Sequence, residues 1–286
     1  MILEKEDFME EKSDRSANAN YAQLLQGHVA LVTGASRGIG AATARLFAQH
    51  GAAVGVNYHT SAARVQEVVE AIRAFGGRAI AIEASVDSAE EVEAMVQRVE
   101  QELGPIDTLV MNAIAGSKSN ASSDKHAAAV RSIFTPFLKS DWEHYQNSVI
   151  RQLSGVYVPA RIMAPLMVER KRGNLIAISS TVARMSYLGT SALASGKASV
   201  EALMRVLVSE LGPHGIRVNI VAPGAIETEA SAQVIQKRKE MLSGTLPLRR
   251  VGQPEDVAGA ILLLAMPEAQ YLTGNYLAVG GGNYLP

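Results

Sequence analysis

Eight residues near the start of the chain, Thr33-Gly34-Ala35-Ser36-Arg37-Gly38-Ile39-Gly40, place three glycines directly after the apolar run Val29-Ala30-Leu31-Val32. Glycines that follow a strand and open a helix let backbone N–H groups approach a pyrophosphate at the helix N-terminus. The loop is therefore read as a dinucleotide cradle, with Gly34, Ser36, Arg37, Gly38, Ile39 and Gly40 as its candidate ligands. An NAD-type site places an acid about 20 residues beyond such glycines for the ribose 2′-hydroxyl. Here no Asp or Glu occurs between Gly34 and Glu67, and the second apolar run ends in Asn57-Tyr58-His59-Thr60-Ser61. Arg37 with Asn57, Tyr58, Thr60 and Ser61 can instead surround a 2′-phosphate through charge-assisted and neutral hydrogen bonds, which points to NADP(H). Further on, Ser180 ends Ile178-Ser179-Ser180 seventeen residues before Lys197, and Pro223-Gly224-Ala225-Ile226-Glu227-Thr228 follows. Hydride delivery to a carbonyl needs the acceptor beside the nicotinamide, a donor polarising the oxygen and a proton for the developing alkoxide. Ser180 and Lys197 are candidates for that work.

Positioning these groups requires a particular frame. Seven short apolar runs, at 29–32, 53–56, 79–82, 108–111, 175–178, 218–221 and 276–279, alternate with helical periodicities. That alternation predicts a single-domain α/β fold of the Rossmann type, a doubly wound seven-stranded parallel sheet with its ligand crevice at the carboxyl ends of the strands. Every motif above falls at such an end. Val200, Leu203, Met204, Leu207, Val208 and Leu211 follow helical spacing, so Leu193 and Lys197 share one face at the start of that helix.

In order and spacing the motifs resemble the short-chain dehydrogenase/reductase family over roughly residues 26 to 286. The resemblance implies a nicotinamide-dependent oxidoreductase acting through Ser, Tyr and Lys, the last two as Tyr-x-x-x-Lys. Here that motif reads Leu193-Ala194-Ser195-Gly196-Lys197, with leucine where the tyrosine is expected. The resemblance further implies that Ser180 orients the substrate oxygen and that Lys197 binds the nicotinamide ribose. Gln152, in Gln152-Leu153-Ser154-Gly155, takes the place of a relay asparagine, keeping an amide but adding a methylene. The family's Asp-Val becomes Ser85-Val86 near adenine, and its Asn-Asn-Ala-Gly becomes Met111-Asn112-Ala113-Ile114, with Asn112 and Ala113 lining the ribose path. Pro223, Gly224, Ile226 and Thr228 match the nicotinamide-side loop.

Leucine cannot donate a proton. Four sources can replace the tyrosine: Tyr187 after Ser180, a tyrosine of the preceding helix such as Tyr145 or Tyr157, a water held by Lys197, or a hydroxyl of the substrate itself. Tyr187 stands ten residues before Lys197, so it cannot occupy the lost position.

Composition narrows the function classes. A chain of 286 residues, 48% hydrophobic and with net charge −1, suits one compact domain working on a small molecule. There is no basic excess for nucleic acid and no apolar stretch long enough for a membrane; Val257–Met266 is the longest. The chain has no cysteine, which excludes a disulfide framework or a thiolate nucleophile, and its six histidines lack metal-ligand spacing, so no metal is expected. Residues 1–25 read as a flexible extension without a secretory signal, residues 26–286 as the NADP-binding domain, and residues 117–140 as a lid-like insertion. A cytoplasmic location follows from these exclusions.

The reading is an NADPH-dependent reductase of a ketone, quinone or enoyl group on a bulky, apolar biosynthetic intermediate. The alternatives are a non-redox enzyme on the same fold, such as an isomerase, dehydratase or cyclase, and an inactive NADP-binding subunit. The resemblance also implies a homotetramer or dimer, paired through the helical regions 141–167 and 191–211 and the C-terminal segment from Glu255 onward.

Overall fold

The computed structural model describes residues 23–116 and 135–285. All seven apolar runs form strands: β1 (Val29–Val32), β2 (Ala53–Tyr58), β3 (Arg78–Glu83), β4 (Thr108–Met111), β5 (Gly173–Ile178), β6 (Ile216–Pro223) and β7 (Tyr276–Val279). They form one sheet in the order β3-β2-β1-β4-β5-β6-β7, every pair parallel. Parallel strands need crossover helices, and these cover both faces, so the strands are apolar on both sides. β1 and β4, at the centre, are buried at every residue.

One face is covered by α1 (Gly38–Gln49), α2 (Ala62–Ala74) and α8 (Pro254–Ala265). Phe47, Ile72 and Ile261 pack there in one continuous core. The other face carries α3 (Ala89–Leu103), α4 (Trp142–Arg170) and α5 (Ser191–Leu211), with Met95, Met163 and Met204 in its core. Two short helices, α6 (Ala232–Gln236) and α7 (Lys239–Thr245), lie in the connection after β6. The apolar stretch 257–266 is thus mostly α8, a core helix, and among the described residues no helix is long and apolar enough to cross a membrane.

Several strands exceed their apolar runs. Asn57 and Tyr58 extend β2 by pairing with Ile82 and Glu83, and Pro223 ends β6 opposite Val279. These polar extensions carry the strand ends into the crevice. On α5 the expected stripe splits: Val200, Met204 and Leu211 are buried in the core, whereas Leu203 and Leu207 line a shallow groove against α4. α4 is started by Asp141, whose carboxylate accepts from the His144 N–H at 2.7 Å. Its glycine at 155 is required by close approach, since a Cβ there would lie 2.6 Å from the Ala113 carbonyl oxygen. Of the expected extension and insertion, residues 1–22 and 117–134 lie outside the described residues. Leu25 is buried in the core, and 135–140 contains a single 3₁₀ turn, Phe137–Lys139.

Candidate active site

The strand ends enclose a cavity of about 650 Å³. Its floor is built on a knot between the two central strands. The Thr33 hydroxyl accepts from the N–H groups of Asn112 (3.0 Å) and Ala113 (3.1 Å), and the Asn112 amide donates to the carbonyls of Thr33 (3.0 Å) and Gly34 (3.1 Å). Asn112 and Ala113 line the cavity, as does Gly34. Asn57 also lines it but is 1% exposed. Its carbonyl accepts from the Gly34 N–H (3.1 Å), and its amide donates to the Ala84 carbonyl (3.0 Å). The structure therefore spends the Asn57 side chain on shaping the glycine loop, where sequence reasoning had placed it on a phosphate.

The fit to a dinucleotide can be tested on the loop itself. α1 has neither a capping side chain nor an acid in its first turn, so its leading N–H groups are left for a ligand. Gly34 and Gly38 take left-handed backbone angles, φ 63° and 54°. A Cβ on Gly40 would sit 2.6 Å from the Gly34 carbonyl oxygen and 2.7 Å from Asn112 Nδ2. Gly38 and Gly40 make the turn possible without themselves lining the cavity, whereas Ser36, Arg37 and Ile39 do line it. These residues fit a bound dinucleotide.

At the far end Arg37, Tyr58, Thr60 and Ser61 line the wall together with His59. The ring Nε2 of His59 is buried without a hydrogen-bond partner among the described residues. Burial pushes the Arg37 pKa down, and the neighbouring Arg64 guanidinium pushes it the same way, against Glu229. Arg37 thus brings a half-buried positive charge to this wall, with Glu229 as the acid acting on it. Arg64, on α2, is exposed and does not line the cavity. Ser85 and Val86 also line the cavity, the Ser85 hydroxyl donating to Asp87.

At the other end stand Ser180, Lys197, Leu193, Gln152, Pro223, Gly224, Ile226 and Thr228. Lys197 is 8% exposed, and its ammonium donates to the Ile178 carbonyl at 2.7 Å. Burial brings its pKa down to about 8, partly offset by the charge of Glu201 one helical turn on. The Ser180 hydroxyl donates to the Pro223 carbonyl at 3.3 Å and accepts weakly from the Val182 N–H at 3.4 Å. Gln152 is 3% exposed; its amide turns back to the Ser148 carbonyl (3.2 Å), leaving Oε1 buried with no partner among the described residues. Thr228 bonds Ser231, another wall residue that sequence reasoning missed.

No candidate tyrosine donor faces this end. Tyr187 is 47% exposed and does not line the cavity, the Tyr145 hydroxyl pairs with Ser195 at 2.6 Å, and Tyr157 lies in the α4–α5 groove. Instead α4 presents His144, Asn147, Ser148 and Arg151, a polar face beside the apolar Ile114 and Leu193. Their i, i+3, i+4, i+7 spacing was the available signal, hidden because polar residues at that period read as a solvated face. Glu227 is held by Lys239 (3.0 Å) and Gln253 (3.2 Å), which lower its pKa and anchor α7 and α8.

Comparison with known proteins gives the chain its family and fold. Residues 34–283 match the sequence model of a family described as enoyl-(acyl carrier protein) reductase. An oxidoreductase of Methylorubrum extorquens is 38% identical over 262 residues, covering 90% of this chain and 98% of the relative. A 3-oxoacyl-[acyl-carrier-protein] reductase of Synechocystis is 37% identical over 259 residues, covering 90% and 97%. Among solved structures, a 7α-hydroxysteroid dehydrogenase complexed with NADH and 7-oxo glycochenodeoxycholic acid superposes with TM-score 0.80 at 32% identity, over 91% of this chain and 95% of that one.

Replacing Gly40 with alanine tests the cradle. The methyl group collides with backbone that the Thr33–Asn112 knot holds in place, so dinucleotide affinity should fall at least about tenfold, ~1.4 kcal/mol, with the far-UV circular dichroism unchanged. Fluorescence titration giving the unaltered affinity would remove the loop from the binding site.

Proposed function

The chain belongs to the short-chain dehydrogenase/reductase family, and on that premise we propose that it is an NADPH-dependent reductase of a carbonyl group on a bulky biosynthetic intermediate, acting without a tyrosine. The observation that carries the reading is the presence in one cavity of the glycine-loop residues Gly34, Ser36, Arg37 and Ile39 with Ser180 and Lys197. The relative named 3-oxoacyl-[acyl-carrier-protein] reductase supports a ketone as the acceptor, while the enoyl description of the matching family keeps an alkene as the second reading.

When bound, the nicotinamide cofactor supplies the hydride. Gly34, Ser36, Ile39 and Ala113, with the loop 223–228, would hold it along the cavity, and Arg37 with Thr60 and Ser61 would face the 2′-phosphate. Ser180 would donate to the substrate oxygen. Lys197 then becomes the proton source, directly or through one water in the cavity that it and Leu193 line. Its ammonium, near neutrality in pKa, can pass a proton to an alkoxide and regain it from solvent. The buried Gln152 Oε1 offers that water a second partner. Losing a general acid costs about 10²- to 10⁴-fold, less than positioning alone can supply, so turnover survives the leucine.

The exposed groove between α4 and α5, lined by Tyr157, Leu203, Leu207 and Leu211 among others, supports pairing of two copies. Light scattering at micromolar concentration should give a dimer or tetramer; a monomer rejects the pairing.

NADPH should bind more tightly than NADH, and Arg37→Ala should remove most of that preference. Equal affinity of the unaltered protein for both cofactors would remove the basis for NADP(H). With a ketone substrate, kcat should be level below about pH 8 and fall above it as Lys197 loses its proton. Lys197→Met should abolish this limb and most turnover. Leu193→Tyr should not accelerate the reaction; a gain of about 10²-fold or more would mark the native site as a degraded reductase. Conversion of substrate without NADPH consumption would favour a non-redox enzyme.

A further inference from the structure

Behind the cavity lies a buried acid that hydride and proton transfer do not use. Glu201 is 5% exposed, on α5 one turn beyond Lys197. One carboxylate oxygen accepts from the Ser179 hydroxyl at 2.7 Å and the other from Arg184 Nε at 2.8 Å. Ser179 immediately precedes Ser180, and Arg184 ends the 3₁₀ turn Thr181–Ala183 that follows it. One carboxylate therefore grips both ends of the segment that carries Ser180. The Ser180 carbonyl accepts from the Ala183 N–H at 3.0 Å, but its hydroxyl makes two long hydrogen bonds, at 3.3 and 3.4 Å, too weak to fix where it points. Arg184 also lies 3.6 Å above the centre of the Tyr276 ring, on β7, and is linked to Tyr284 near the C-terminus.

We propose that Glu201 is a positioning residue for the reaction: through Ser179 and Arg184 it fixes the Ser180 turn against α5 and so sets the hydroxyl in register with Lys197. Glu201 is the buried partner and Arg184 the half-buried one, with 6% and 32% of their side chains exposed, so the acid anchors the flanks of Ser180 from inside the fold. Charge adds a second reason. The titratable groups around the Lys197 end of α5 are Glu201 on its own helix, Arg184 after β5, His144, Tyr145 and Arg151 on α4, Tyr276 on β7 and Tyr284 beyond it; β6 offers only Arg217, at its far end. Of these, Glu201 is the acid acting on Lys197, and it opposes the effect of burial on the ammonium. The inference rests on the reductase reading only in where turnover is measured.

The test compares Glu201→Gln, Glu201→Asp and the double variant Glu201→Met/Arg184→Met with the unaltered protein. Three readouts are taken: amide hydrogen exchange across residues 180–184, the pH titration of Lys197 followed by ¹³C-lysine NMR and assigned with Lys197→Met, and NADPH oxidation with the acetoacetyl thioester of N-acetylcysteamine. The double variant should keep its far-UV circular dichroism, yet exchange faster at 180–184 and lose at least about tenfold in kcat, with NADPH affinity unchanged. Glu201→Gln should move the Lys197 midpoint, and with it the alkaline limb of kcat, to lower pH. Glu201→Asp keeps the charge and loses the reach, so it should loosen the turn while leaving the limb in place. A double variant with normal exchange at 180–184 and normal kcat, or a Glu201→Gln protein with an unmoved Lys197 midpoint, overturns the proposal. If the unaltered protein oxidises no NADPH with this thioester, the reductase reading fails for short 3-oxoacyl thioesters, and the exchange and the titration still decide the role of Glu201. Should the double variant not fold, the two single variants carry the same readouts.

Discussion

The hydrogen bonds that tie Thr33 to Asn112 and Ala113 close the gap between the carboxyl ends of β1 and β4. From β1 the sheet grows outward to β2 and β3 on one side and from β4 to β5, β6 and β7 on the other. Loops leaving those strands diverge there, and the crevice they open is where a parallel α/β sheet binds its ligand. Without the knot the Thr33 and Gly34 carbonyls would lose the two hydrogen bonds that the Asn112 amide donates, and only Asn57 would still hold the start of the glycine loop. Both halves of the cavity, the phosphate end near Arg37 and the reactive end near Lys197, take their separation from this junction.

Much of the frame could be read from the chain because parallel strands must be apolar on both faces. Seven runs of Val, Ile, Leu and Ala gave seven strands, and the glycine loop followed from its place between a strand and a helix. The side chains at the strand ends were harder. Asn57 has the right chemistry for a phosphate, yet its position in the pleat turns it inward to the Gly34 N–H and the Ala84 carbonyl. An asparagine serves either role equally well, and only the pairing of β2 with β3 decides between them.

The polar face of α4 and the buried Glu201 were illegible for a related reason. Periodicity arguments count apolar residues, so a stripe such as His144, Asn147, Ser148 and Arg151 registers as solvent-facing. The same rule assigns an acid beside Val200 to the surface, whereas Glu201 is drawn inward by Ser179 and Arg184, partners 22 and 17 residues distant. Lys197 was found by spacing, but its lowered pKa depends on burial beneath β5 and could not have been.

The junction between β1 and β4 also bears on how the chain assembles. Asn112 and Thr33 are 79 residues apart in sequence, so their contact closes a long loop whose entropy must be offset before any bond between them helps. The segment from β1 through β3 can gather locally around α1 and α2, since each successive crossover there is short. The cavity floor has to wait for β4 to arrive between β1 and β5. A nascent chain holding only the first three strands therefore carries the glycine loop without the asparagine that shapes it.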